Sequence, residues 1–170
     1  MKFWVYVAVG WLAMAMWTAI GSRLGMGHVL PDAAVVTVVF VAIRREPIPV
    51  TLCALALGYL AGRQALAPVG LHETALVACA LVVYMTAGSV AASGVAFFAL
   101  ASGGTVMLYH LLLFILTRVF GGAAGFAGWA TAMLVPDAVA TAALALVSHP
   151  VLAAIERRIS ADQREELSWH

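Results

Sequence analysis

The stretch Thr74–Thr117, TALVACALVVYMTAGSVAASGVAFFALASGGTVMLYHLLLFILT, runs for 44 residues without one Asp, Glu, Lys or Arg. A single helix of that length would be about 66 Å long at roughly 1.5 Å per residue. That is about twice the ~30 Å of hydrocarbon in a bilayer. The stretch must therefore fold back on itself as two helices. Small polar and glycine residues punctuate helices, so the turn belongs between Gly88-Ser89 and Ser93-Gly94. A fourth span of about 72–90 and a fifth of about 95–117 follow.

The same punctuation by charge, proline and glycine divides the rest of the chain. Towards the N-terminus, Gln64 to Gly70 contains Pro68 and reads as a turn, and Pro47 and Pro49 open a third run that ends at Gly62-Arg63. Pro31-Asp32 opens a second run that stops at Arg44-Arg45-Glu46; counted from Val29 it has only 15 residues. Proline suits the first turn of a helix, and an acid beside it complements the macrodipole. Residues 3–22 form the first run. Ala13-Met14-Ala15 has the spacing of a signal-peptide cleavage site, but it lies mid-run, so this is read as an uncleaved span. Towards the C-terminus, Arg118 and the loop Gly121–Gly125 precede a sixth run from about Trp129 to Ile155. The charged tail Glu156 to His170 is expected as a short or frayed surface helix. The fold class is thus all-α: a polytopic membrane bundle of about six transmembrane helices, one domain over 1–155 with a cytoplasmic tail over 156–170.

Composition agrees. Hydrophobic residues make up 64% of the 170, charged residues 10%, and mean hydropathy is +1.02; soluble domains carry roughly 25% charged residues. A net charge of +1 offers no basic stripe for nucleic acid. Cys53 and Cys79 lie in apolar runs as small hydrophobes. His72-Glu73-Thr74-Ala75-Leu76 begins like a zinc-protease motif, but Leu76 stands where the second histidine belongs, so no metal or other cofactor is expected. Ser93 and His110 would lie about 25 Å apart on one helix, too far for acyl transfer. No side chain is expected to be catalytic.

The residues singled out are of two kinds. Asp32, His110 and Asp137 are ionisable groups within apolar runs, with Arg63 and Glu73 near their edges. A charge inside a bilayer is costly and hints at function. The plainer reading is that Asp32 and Asp137, each after a proline, cap helix starts, and that a neutral His110 hydrogen-bonds a neighbouring span. Leu30-Pro31-Asp32-Ala33 and Val135-Pro136-Asp137-Ala138 echo each other faintly. Gly58, Gly62, Gly103 and Gly104 are the second kind, small residues that let helices pack closely or receive a partner.

Gly58-Tyr59-Leu60-Ala61-Gly62, then Pro68-Val69-Gly70-Leu71-His72 and an apolar helix, resembles the MreD family of rod shape-determining proteins. Pro31-Asp32, Pro136 and the final basic cluster Arg157-Arg158 match as well, and the likeness extends over essentially the whole chain. Two places depart from the family pattern. Gly62-Arg63-Gln64 stands where an acid is frequent, and Asp137 where a small hydroxyl residue is usual, so no residue role is carried over. The resemblance implies a non-enzymatic subunit of the machine that elongates the lateral bacterial wall, in the cytoplasmic (inner) membrane. Its implied partners are an MreC-like single-span protein, then the RodA glycosyltransferase and its penicillin-binding protein, with MreB filaments indirectly, and membrane lipid. It also implies a fold similar to the substrate-binding subunit of energy-coupling-factor transporters. A vitamin-binding transport subunit is accordingly the alternative. Ala15 and Ala19 have the spacing for docking such a subunit on its transport partner. The outer loops, however, offer few ligand-holding groups: Ser22, Arg23, His28, Arg63, Gln64 and Trp129.

Alternating the six spans puts Lys2, Arg44, Arg45, Arg157, Arg158 and Arg164 on one side and Arg23, Arg63 and Arg118 on the other. The excess of positive charge marks the cytoplasmic side, so both termini are expected there. Cytoplasmic reporters fused after Arg45 and after Arg158 should be active and periplasmic reporters silent. A periplasmic signal at the C-terminal fusion would refute the six-span orientation.

Overall fold

Proline, glycine and charge do cut the chain into helices. The computed structural model describes residues 3–24, 31–44, 46–65, 68–89, 94–120 and 126–167. Within them the regular structure is helical: α1 (Phe3–Leu24), α2 (Ala33–Arg44), α3 (Pro47–Gln64), α4 (Leu71–Ser89), α5 (Val95–Val119) and α6 (Phe126–Leu167). Lys2, His28, Arg45, Ser93 and the loop Gly121–Gly125 lie outside the described residues. Three segments are long and apolar enough to cross a membrane: Trp4–Gly21, Val95–Val119 and Leu134–Arg158. Ala33–Arg44 and Leu71–Ala87 are apolar but shorter.

Local chemistry explains the helix starts. Pro47 occupies the first turn of α3 after the extended Glu46, where its missing N–H costs nothing. Gly70 (φ +98°) and Gly94 (φ +136°) immediately precede α4 and α5, in a region of backbone space that suits glycine. Glu73, in the first turn of α4, reaches back so that the Gly70 N–H donates to its Oε2 at 2.9 Å, the acidic half of a capping box.

The short helix α2 is the hub. A helix that is apolar on every side belongs in an interior, and every residue from Ala33 to Ala42 is buried. Among the described residues α2 packs against all five other helices, which follow one another around it in the order α1, α3, α4, α5, α6. Among the described residues the ring is open between α1 and α6, whose backbones stay apart. There Phe40 of α2 is flanked by Tyr6 of α1 (ring centroids 6.3 Å apart), Phe98 of α5 (5.8 Å) and His149 of α6 (6.3 Å). Cys53 and Cys79 are free and buried in this core.

The structure differs from the sequence expectation at α6. It begins at Phe126 and continues for 42 residues to Leu167, with Pro136 and Pro150 in its interior. The tail is the same helix prolonged: Glu156 and Arg157 end an apolar run, but both residue types are good helix formers. Asp137 is therefore deep within a helix and caps nothing.

Four glycines divide by what surrounds them. A Cβ on Gly58 would fall 2.7 Å from the Glu73 Cα, so α3 and α4 touch backbone to backbone there. On Gly103 it would fall 3.1 Å from the Ala138 carbonyl oxygen of α6. Gly62 has room for a methyl group beside the His72 side chain (3.5 Å to its Cβ), and Gly104 faces open space. Gly58→Ala should thus destabilise the bundle by about 1–3 kcal/mol through overpacking, and Gly62→Ala should be tolerated. Reversible unfolding in mixed micelles reads both; equal stability of the two variants would contradict this packing.

Candidate functional site

Polar groups from four helices meet where α2 and α4 begin. Asp32 is the N-cap of α2: the Val35 N–H donates to its Oδ1 at 3.0 Å, and the Val36 N–H to its carbonyl oxygen at 3.1 Å. An aspartate cap satisfies an otherwise orphaned backbone donor. The Asp32 N–H in turn donates to Thr141 Oγ1 of α6 at 3.0 Å. His72 Nδ1 and the Tyr109 hydroxyl share a hydrogen bond of 2.5 Å between α4 and α5.

His110 of α5 and Asp137 of α6 form the least satisfied part. Nε2 of His110 lies 3.9 Å from Oδ2 of Asp137, within reach of a charge interaction but too long for a hydrogen bond. Asp137 is 5% exposed. Its Oδ1 and the Nδ1 of His110 are buried without a hydrogen-bond partner. Asp32 and Asp137 are both electrostatic neighbours of His110. The two Pro-Asp echoes therefore converge on one histidine while doing different work: Asp32 caps a helix and Asp137 does not.

The opposite end of α2 is also tied to α6. Arg44 Nε lies 3.1 Å from Glu156 Oε2, its guanidinium sits 4.1 Å above the Phe40 ring, and His149 Nε2 is 3.5 Å from Arg44 Nη2. The helix is thus fastened to α6 at both ends.

Of the expected site residues, Asp32, His110 and Asp137 are brought together. Gly58 and Gly62 line the α3–α4 contact, Gly103 the α5–α6 contact, and Gly104 neither. Arg63 is exposed. Among the described residues no three His, Cys, Asp or Glu side chains are grouped as metal ligands would be. A groove of about 550 Å³ between α3 and α4 is lined by Leu55, Ala56, Tyr59, Val69, Thr74 and Val77 along with Gly70 and Glu73. Its carboxylate is the one already engaged by Gly70. Tyr109 and Thr141 were missed in the sequence. A hydroxyl in an apolar helix usually bonds its own backbone, and nothing local marks these two as reaching across to another helix.

No family model matches the chain, and neither a curated protein nor a solved structure is found to be similar to it.

The Asp32–Thr141 bond generates a direct test. Thr141→Val keeps the shape but leaves the Asp32 N–H without its acceptor, and should lower stability by about 1 kcal/mol. Thr141→Ser should restore it. Unfolding in mixed micelles measures both, and a Thr141→Val protein as stable as the parent would remove this contact from the account.

Proposed function

We propose that this chain is an MreD-like, non-enzymatic subunit of the bacterial cell-elongation complex, crossing the inner membrane about six times with both termini in the cytoplasm. The observation that carries the reading is the burial of α2. A membrane subunit that holds a small molecule needs a cavity with several fixed donors and acceptors. In this bundle the central position is filled by an apolar helix, with every residue from Ala33 to Ala42 buried. The α3–α4 groove is largely apolar and unsuited to a polar vitamin.

Outwardly the helices present apolar side chains: Trp11, Leu12, Leu100, Leu111 and Val147 are all exposed. In a membrane such faces meet lipid or another protein's span. Association there rests on close packing rather than on a hydrophobic driving force. The partner in this reading is an MreC-like single-span protein, through which RodA and its penicillin-binding protein are reached and MreB filaments indirectly.

Purification from the native host in gentle detergent, followed by native mass spectrometry, tests this. The expected result is a stoichiometric single-span MreC-like chain, and depletion should turn rod-shaped cells round. A stoichiometric vitamin-sized adduct together with an ATPase partner, and no MreC-like chain, would overturn the proposal in favour of a transport subunit.

A further inference from the structure

The buried pair His110–Asp137 has no part in the scaffold reading. A carboxylate withdrawn from water costs several kcal/mol unless it is paired and hydrogen-bonded. Asp32 offsets part of that cost through its cap bond and the start of α2. Asp137 has neither a helix terminus nor a donor: it lies inside α6, its Oδ1 is unpartnered, and His110 is 3.9 Å away with its own Nδ1 unpartnered. An isolated buried charge of this kind is neutralised by taking up a proton.

We propose that His110 and Asp137 form a proton-binding site within the bundle, loaded from the end at which α2 and α4 begin, whose occupancy holds α6 against α5. The ligand is one proton from water. With Asp137 ionised the site carries −1, and a proton on Oδ2 brings it to zero. Asp32 from α2 faces both members of the pair, His72 from α4 faces His110, and the Tyr109 ring of α5 lies 5.9 Å from that of His110, with Glu73 and Cys79 of α4 behind them towards His72 and Tyr109. Asp32 and Glu73 are engaged by backbone N–H groups, and His72 by Tyr109. Asp137 is the one carboxyl of the cluster that receives no such bond.

The site is closed towards the Arg44 end. Between it and the Arg44 end, the buried hydroxyls of Thr37, Ser102 and Thr105 each donate to a carbonyl of their own helix, four residues back. Those hydroxyl protons are spent, and Val35, Val36, Val38, Val39 and Phe40 fill the space beside them. The geometry therefore suits a sensor of protons at one face rather than a conductor across the membrane.

The sign of the effect follows from linkage. A bundle that holds a proton the unfolded chain releases loses stability as pH rises, by up to about tenfold in the folding equilibrium per pH unit for one proton. The test is reversible unfolding of the full chain in mixed micelles across a pH series, beside infrared spectra of the carboxyl C=O stretch. The wild type should show the one-proton slope and a protonated-carboxyl band. Asp137→Asn should abolish both, His110→Gln should shift the band and change the slope, and Asp32→Asn should preserve the slope. An Asp137→Asn protein that keeps the wild-type slope overturns the proposal. Should that variant not fold, a wild-type band left unmoved by His110→Gln overturns it instead. Both readouts are made on the isolated chain, so their failure is separate from any failure to find an MreC-like partner.

Discussion

A 12-residue helix extends about 18 Å at 1.5 Å per residue and covers only part of the ~30 Å of hydrocarbon in a bilayer, leaving its ends inside or near the apolar region. The helix α2 has that length, yet all the other helices pack around it. It can hold this position because its ends are closed. At one end Asp32 caps the helix and its N–H is received by Thr141; at the other, Arg44 meets Glu156 and His149. Both fastenings run to α6, so the longest helix serves as the spine to which the shortest is fixed. In hydrocarbon an open helix terminus would cost several kcal/mol for each unsatisfied group, so the ring of five helices depends on these few polar contacts as much as on its apolar packing.

The same constraint explains what could be read in the sequence. The elements that end a helix in a membrane are local: Pro47 starts α3, Gly70 and Gly94 precede α4 and α5, and the charges at Arg44 and Arg63 fall in the last turns of α2 and α3. Where the local signal changed meaning, the reading strayed. Glu156 ends an apolar stretch without ending a helix, and so α6 runs on to Leu167. Pro136-Asp137 looks like Pro31-Asp32, but only the latter stands at a helix start. Gly58 and Gly62 form one G-x-x-x-G, yet only Gly58 meets a backbone closely enough to exclude a methyl group. Those distinctions arise from which helix lies opposite, and spacing along one chain carries no record of that.

Hydroxyl groups show how sparingly the bundle uses polarity. Thr18, Thr37, Thr51, Thr74, Thr86, Ser102 and Thr105 each donate to the carbonyl four residues earlier. Such back-bonding makes a polar side chain acceptable in an apolar setting without committing it to a neighbour. Thr141 and Tyr109 instead take part in bonds between helices. The Asp32–Thr141 and His72–Tyr109 bonds lie at the start of α2 and the Arg44 contacts at its other end, while the Cys79 thiol donates to the Thr105 carbonyl oxygen between α4 and α5.

That distribution bears on how a scaffold subunit could respond to its surroundings. Close apolar packing, as at Gly58 and Gly103, changes little with solution conditions because it contains nothing that titrates. Polar fastenings differ, since their strength follows their protonation. The Asp32–Thr141 bond joins a backbone donor to a hydroxyl and is indifferent to pH, whereas His110–Asp137, between α5 and α6, is not. Ala138, the residue after Asp137, packs on Gly103 of α5, so a loss of charge balance at Asp137 would act on the same α5–α6 seam. An assembly subunit built in this way would keep a rigid centre around α2 and confine its adjustable contact to one seam, between α5 and α6, leaving the opposite flank formed by α1, α3 and α4 unchanged.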